Sequence, residues 1–318
     1  MSKNFAITGV AGYVAPRHLR AIRDTGNTLV AAMDPHDSVG ILDRYFHDVA
    51  YFREFERFDR HVEKLRRGSA KKRVDYVSIC SPNFLHDAHI RFALRMQADA
   101  ICEKPLVMNP WNCDALEELE NEQEQRVYTI LQLRLHDAVR EMKERFGSTK
   151  GRKHQVSLTY IASRGQWYAH SWKGNISQSG GIATNIGIHF FDLLTWIFGG
   201  VEDLQVNLAE PQRSAGQLEL ERAKVNWFLS IDRHDLPQDR SSGEKMTDRR
   251  LEIDGEELDL STGFDNLHTR AYEEIFAGRG VRIAEVRPSV QLVHDIRHAQ
   301  ITKPNDDAHP LIHQITGV

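Results

Sequence analysis

Two periodicities alternate through the first part of the chain. Residues 5–8 form a short apolar run ending at Gly9, and residues 29–33 form a second, ending at Asp34. Between them Pro16 opens a stretch with Leu19 and Ile22 one helical turn apart, so the pattern predicts strand, helix, strand. Phe55, Phe58, Val62 and Leu65 share one face of a helix predicted over residues 55–67. Strands are then expected over residues 74–80, 100–102 and 127–133, with helices over 86–96 and 112–124. Strands alternating with helices of this length indicate βαβ units and a parallel sheet.

The pattern changes near residue 150. A strand is predicted over residues 156–162, followed by a Gly/Trp/Ser-rich stretch, 163–181, with no clear period. Residues 182–198 are apolar all round, which in a helix means burial on every side. Strand-like segments at 204–209, 223–231 and 251–260 follow, the last holding the hairpin pair Asp254-Gly255. Strands in succession indicate a mostly antiparallel sheet with helices on one face. Residues 235–250 are expected to be a mobile surface loop, 266–276 and 288–299 closing helices, and 303–309 a poorly ordered polar tail. The reading is α/β: a parallel-sheet domain over residues 1–134 and an α+β domain with an open, mostly antiparallel sheet over 135–318.

Composition narrows the function. At 318 residues, 41% hydrophobic and 27% charged, the chain is long enough for two domains, each with its own core. The net charge of −4 argues against binding nucleic acid through bulk charge. No apolar run is long enough for a bilayer, and the first residues lack a signal peptide's charged start and apolar middle. Cys80, Cys102 and Cys113 form no CxxC pair, so neither a disulfide scaffold nor a zinc site is indicated. A reduced, cytoplasmic protein is the expectation.

Four groups of residues can carry chemistry. Gly9, Gly12, Tyr13 and Val14 lie between strand and helix, where backbone N–H groups and the helix dipole can hold a pyrophosphate. The spacing departs from GxGxxG, and an ordinary strand-to-helix turn is the plainer alternative. Asp34, about 20 residues on, ends the next strand, where a carboxylate accepts bonds from both ribose hydroxyls and repels a 2′-phosphate. This favours NAD over NADP. Glu103-Lys104-Pro105 ends a buried strand, and a partly desolvated Lys104 can exchange a proton with an alcohol. Ser81, Asn83 and His86 follow the preceding strand and belong to the same rim; the plainer alternative is a capped helix with a solvent-facing His86. Asn185 and His189, spaced i and i+4, share a face of the apolar helix, although a buried helical histidine is more often a hydrogen-bonded core residue. Arg164 and Lys173 can meet phosphate or carboxylate, with Tyr168 and the neighbouring tryptophans able to stack on a base or sugar. No metal site is expected.

At these residues the chain resembles the Gfo/Idh/MocA oxidoreductases. The resemblance runs from the glycine turn through Asp34, Ser81-Pro82-Asn83 with His86, and Glu103-Lys104-Pro105 to Gly180-Gly181, Asn185 and His189. The stretch from Gly9 to His18 and the segment from Ser163 to Gly174 are similar to one subgroup, the bacterial UDP-N-acetyl-2-amino-2-deoxyglucuronate 3-dehydrogenases of O-antigen synthesis. That resemblance implies an N-terminal Rossmann domain binding NAD and oxidation of a sugar C3 hydroxyl to a ketone. It also implies a homotetramer and an aminotransferase that uses the product. Implied cofactor contacts are Gly12, Tyr13, Val14, Asp34, Ser81, Asn83, His86, Glu103 and Lys104. Implied substrate contacts, for a sugar lying between the domains, are Arg164, Tyr168, Lys173, Asn185 and His189. Asn185 stands where many members carry Asp; an amide takes no proton, which leaves Lys104 and His189 as the proton-transfer candidates. A dehydrogenase of another sugar or inositol, and an NAD-binding regulator without turnover, are the competing readings.

Overall fold

The computed structural model describes residues 2–148, 151–237, 246–258 and 263–316. The chain divides into two compact units: Met1–Leu135 with Asn266–Arg287, and His136–Asp265 with Pro288–Val318. The sequence reading had assigned the segment Asn266–Arg287 to the second domain. Its helix instead packs Tyr272 and Ile275 into the core of the first unit.

The first unit is built on six strands: β1 (Asn4–Thr8), β2 (Thr28–Met33), β3 (Ala50–Phe52), β4 (Tyr76–Ile79), β5 (Asp99–Cys102) and β6 (Val127–Thr129). Their order is β3-β2-β1-β4-β5-β6 and every pair is parallel. This is the doubly wound Rossmann order, which reverses direction between β1 and β4. Helices α1 (Ala15–Asp24), α2 (Phe55–Arg67), α3 (His86–Arg95) and α4 (Pro110–Gln123) make the crossovers. The strand expected over 127–133 stops at Thr129, and a short 3₁₀ turn, Gln132–Leu135, follows. The three-residue β3 was too short to register as a pattern.

In the second unit α5 (Asp137–Phe146) precedes β7 (His154–Ala162), and the segment without clear period folds into the single turns α6 (Trp167–His170) and α7 (Ile176–Ser179). One π-helical turn, Ala183–Gly187, leads into α8 (Ile188–Phe198). Strands β8 (Val201–Ala209), β9 (Arg213–Leu220), β10 (Ala223–Ser230), β11 (Thr247–Ile253) and β12 (Glu256–Leu258) join β7 in the order β12-β11-β7-β10-β9-β8. Only β7 and β10 pair in parallel. Phe191 of α8 meets the fully buried Trp227 of β10 edge to face at 5.2 Å, seating the helix on the sheet.

Several expectations for this unit are corrected. β9 was missed because its buried residues Ser214, Ala215 and Gly216 are small and weakly apolar. Part of the expected loop is strand: β11 starts at Thr247 and buries Asp248, which pairs with Arg250 at 2.8 Å, while residues 238–245 lie outside the described set. Residues 259–260 of the last predicted strand also lie outside it. Helix α9 (Leu267–Phe276), which belongs to the first unit, and helix α10 (Ile283–His298) follow, with Pro288 inside α10 rather than opening it. The polar tail is anchored. His309 is buried, meets Thr159 Oγ1 at 2.9 Å, and leads into α11 (Pro310–Thr316), whose Ile312 packs on Phe228. The apolar residues that hold it lie just past the window that read as polar. Finally, the stretch Ile176–Phe198 passes for a membrane span by length and composition alone, but Gly180 and Gly181, both at positive φ, interrupt it. It is the core helix of this unit, with 78% of its apolar window buried.

Candidate functional site

The first unit gathers its candidates at the carboxyl ends of β1, β2, β4 and β5. Gly9 follows β1 with φ +77°, and a Cβ there would lie 2.5 Å from the backbone of Cys80 and Ser81 after β4. Only glycine lets the turn press into the point where the strand order reverses. On its other side the turn is tied to β2: Gly9 N–H donates to Met33 O at 2.8 Å, and Ala11 N–H to Asp34 Oδ2 at 3.0 Å. Asp34 is buried, and its other oxygen accepts from His36 N–H at 2.9 Å. Each carboxylate oxygen has a further lone pair for a ribose hydroxyl. Gly12 N–H turns back to Gly9 O at 3.0 Å. Among the described residues the N–H groups of Tyr13 and Val14 have no protein acceptor, and α1 has no side-chain cap. Two unpartnered donors at a helix N-terminus, beside a fixed carboxylate, suit a pyrophosphate and a ribose. The residues present fit NAD.

Below this rim the side chains brace one another. Ser81 Oγ meets His89 Nδ1 at 2.8 Å, and that ring stacks on Phe55 at 4.9 Å. Burial pushes the His89 imidazole down to about 4. Asn83 is buried beside them in sequence. His86 is buried rather than solvent-facing; its ring nitrogens face the carbonyl oxygens of Pro105 at 2.7 Å and Ser81 at 2.8 Å. Those carbonyls favour a protonated ring, but burial outweighs them and lowers its pKa. The Glu103 carboxylate turns inward to His18 and His268, each at 3.0 Å, and accepts the Lys104 peptide N–H at 3.2 Å. Thus Glu103 and His86 engage protein groups, and Lys104 stands on the loop between them. The roles of His268 and Tyr272 were not read from the sequence; His18, beside Leu19 on the apolar stripe of α1, was the available hint.

In the second unit the fourth group assembles. Asn185 lies in the π-helical turn, a widened geometry frequent at functional sites, so the Asn185 to His189 spacing crosses that turn instead of a regular α-helix. Gly180 and Gly181 precede it with φ +78° and +77°. The Asn185 amide donates to the buried Tyr168 hydroxyl at 2.8 Å. Burial raises the Tyr168 phenol, opposed by that bond and by Arg164. Lys173 Nζ sits 4.5 Å from the Trp172 ring centroid and 5.7 Å from that of Trp167. Burial, and then the nearby Arg164 charge, lower the Lys173 pKa. Lys173, over aromatic rings, and the exposed Arg164 can together receive an anion. His189, half-buried, is the second residue of α8.

The oxidoreductase family model for an NAD-binding Rossmann fold matches residues 3–130, and the model for the same family's C-terminal α/β domain matches 151–235. The chain belongs to the Gfo/Idh/MocA oxidoreductase family. Its first unit is the family's NAD-binding domain. Among solved structures, the WlbA (WbpB) dehydrogenase from Thermus thermophilus is 46% identical, with a TM-score of 0.93 over 97% of this chain and 99% of that one. It has been solved with NAD and α-ketoglutarate and with NAD and UDP-GlcNAcA. The WlbA dehydrogenase from Bordetella pertussis, 18% identical with a TM-score of 0.75 over 96% of this chain and 98% of that one, shares the fold. YteT of Bacillus subtilis is 28% identical over 157 residues, 48% of this chain, and the match spans only 36% of YteT.

Proposed function

We propose that the protein oxidises the C3 hydroxyl of UDP-N-acetylglucosaminuronate to a ketone, with NAD as acceptor. The observation that carries this reading is the 46% identity, along nearly the whole of both chains, to a dehydrogenase solved with NAD and UDP-GlcNAcA. The cluster of Arg164, Tyr168, Lys173 and Asn185 supports it, because a nucleotide diphosphate and a uronate together present several anionic oxygens and a base to stack. Gly12, Tyr13, Val14, Asp34, Ser81 and Asn83 are proposed to hold the cofactor, with Glu103 and His86 supporting that rim. Bound NAD supplies the hydride acceptor.

Oxidation of a secondary alcohol removes a hydride from carbon and a proton from oxygen, so a base must stand at the hydroxyl. Lys104 and His189 are the residues proposed to move that proton. Arg164 and Lys173 orient the anionic part of the substrate, and Tyr168 and Asn185 hold sugar hydroxyls or the amide by hydrogen bonds. The wider setting proposed is a cytoplasmic homotetramer making a keto sugar for an aminotransferase, in synthesis of diacetamido-uronic acids for lipopolysaccharide O-antigen.

The test is the appearance of NADH absorbance when UDP-GlcNAcA is added, with the product identified by mass spectrometry as the substrate less two hydrogens. Turnover of a free sugar or inositol without competition by UDP would move the assignment elsewhere in the family. NAD binding with no turnover of any sugar would favour a regulator.

A further inference from the structure

A buried polar chain runs beneath Lys104. Ser78 Oγ lies 2.7 Å from Tyr272 Oη, which lies 2.8 Å from His18 Nδ1. His18 Nε2 and His268 Nε2 each lie 3.0 Å from Glu103 Oε1, and Oε2 accepts the Lys104 peptide N–H at 3.2 Å. One assignment of protons satisfies this chain. Ser78 donates to Tyr272, Tyr272 to His18 Nδ1, and both Nε2–H groups to an ionised Glu103. Burial would raise the Glu103 carboxyl, yet the two imidazole bonds hold it well below the carboxylate range. Burial lowers the His18 pKa despite the opposing pull of Glu103, the direction the assignment requires. Four elements of one unit meet here: α1, β4, the end of β5 and α9.

A buried carboxylate is a poor way to gain stability, since apolar residues of equal volume do as well or better. Its worth lies in defining one geometry. Here that geometry belongs to the loop carrying Lys104. On one side the Glu103 side chain is fixed by two imidazoles; on the other the Pro105 carbonyl is held by His86 at 2.7 Å. A lysine has four rotatable carbons, so the placement of its amine depends on how firmly its backbone is set.

We propose that Glu103, held by His18 and His268, is the positioning residue for Lys104. The carboxylate anchors the Lys104 peptide and so fixes the point from which its amine moves the substrate proton. This rests on the reading of Lys104 as a proton-transfer residue.

The experiment is a double-mutant cycle between Glu103→Gln and Lys104→Met, read in kcat, the KM for NAD and thermal unfolding. Gln keeps the volume, but with its carbonyl on the two histidines its amide N–H2 meets the Lys104 peptide N–H, donor against donor. Glu103→Gln is expected to lower kcat by about 10²-fold, the usual cost of a misplaced group, with a much smaller change in the KM for NAD. In the Lys104→Met background the same change is expected to do nothing further, because a residue acting through Lys104 has nothing left to position. If Glu103→Gln does not fold, Tyr272→Phe is the substitute: it keeps the ring, frees the His18 tautomer, and should show a smaller kcat loss that also vanishes without Lys104. Equal losses in both backgrounds, or full turnover in folded Glu103→Gln, would overturn the proposal. So would one equivalent of bound metal in the purified enzyme that Glu103→Gln removes, since His18, Glu103 and His268 would then be ligands. If Lys104→Met itself turns over normally, the reading of Lys104 fails; if only the Glu103 variant is silent, the positioning proposal fails alone.

Discussion

Asn185 Nδ2 donates to Tyr168 Oη at 2.8 Å, joining a π-helical turn to a single helical turn of the preceding irregular segment. The bond consumes one amide proton and fixes the direction of a phenol that burial keeps neutral. Tyr168→Phe deletes this acceptor from a buried amide, at a cost of about 1–3 kcal/mol. We expect lower thermal stability, weaker binding of UDP-GlcNAcA in calorimetry and unchanged NAD binding. Unchanged sugar binding would mean that the pair serves only the fold.

Lys173 can be tested apart from its packing. Its ammonium lies over the Trp172 and Trp167 rings, and methionine can keep contact with those rings while removing the charge. Loss of a charge-assisted bond to an anion costs about 1.5–3 kcal/mol. Lys173→Met is therefore expected to weaken UDP-GlcNAcA binding by that amount and to leave NAD titrations unchanged. Equal weakening of both ligands would make the segment structural.

Asp34 should set the choice of dinucleotide. Its carboxylate is already oriented by the N–H groups of Ala11 at 3.0 Å and His36 at 2.9 Å, so it meets a ribose with its direction fixed. A 2′-phosphate would bring a second anion against it. NAD should bind more tightly than NADP in paired fluorescence titrations. Asp34→Ser should narrow the gap, mainly through loss of NAD affinity, because the turn at Ala11 loses its anchor as well. Tighter NADP binding by the wild-type protein would reject this role.

Much of this was legible in the sequence because local pattern and tertiary position agree there. The runs 5–8 and 29–33, ended by Gly9 and Asp34, announced β1 and β2 and the turn between β1 and α1, since the backbone itself makes that site. Glu103 was singled out in the sequence as a candidate, but its partners were not legible. His18 comes from α1 and His268 from a helix 165 residues along the chain, and no period connects them. Arg164, Tyr168 and Lys173 were proposed from residue type and from the resemblance of their segment, not from any period. Their segment has no repeat because it folds as consecutive single turns, each stabilised by its own contacts. β9 and the anchored tail were hidden for a related reason: small buried residues in one, and apolar anchors beyond a polar stretch in the other.

Two buried histidines, one in each unit, should make stability depend on pH. Burial pushes His89 and His309 from 6.5 down to about 4. The unfolded chain therefore binds more protons than the folded one between these values, and stability rises with pH there. Each contribution is complete above pH 6.5 and is lost as pH falls toward 4, amounting to roughly 3 kcal/mol apiece. His89→Asn and His309→Gln keep a polar atom near the one used and remove the titration. Unfolding temperatures of the double variant should fall less steeply on acidification, with a residual slope from His18 and His86, which burial also lowers. An unchanged slope would show that neither ring stays neutral in the fold.

The heaviest prediction concerns Lys104 and His189. A hydride leaves a secondary alcohol readily only if the hydroxyl proton departs with it, so loss of the base strikes turnover before it strikes binding. Lys104→Met keeps length and removes the amine; His189→Asn keeps a hydrogen-bonding side chain and removes the titratable ring. Each is expected to lower kcat by about 10²–10⁴-fold, the usual worth of a positioned acid or base. Because both are proposed to serve one transition state, the double variant should be little worse than the more damaged single one. NAD binding should survive in all three, since its proposed pyrophosphate and ribose contacts come from Tyr13, Val14 and Asp34. The measurement is stopped-flow NADH formation alongside NAD titration and thermal unfolding of each variant. If His189→Asn unfolds while folded Lys104→Met turns over normally, His189 is a core histidine and the proton leaves by another route.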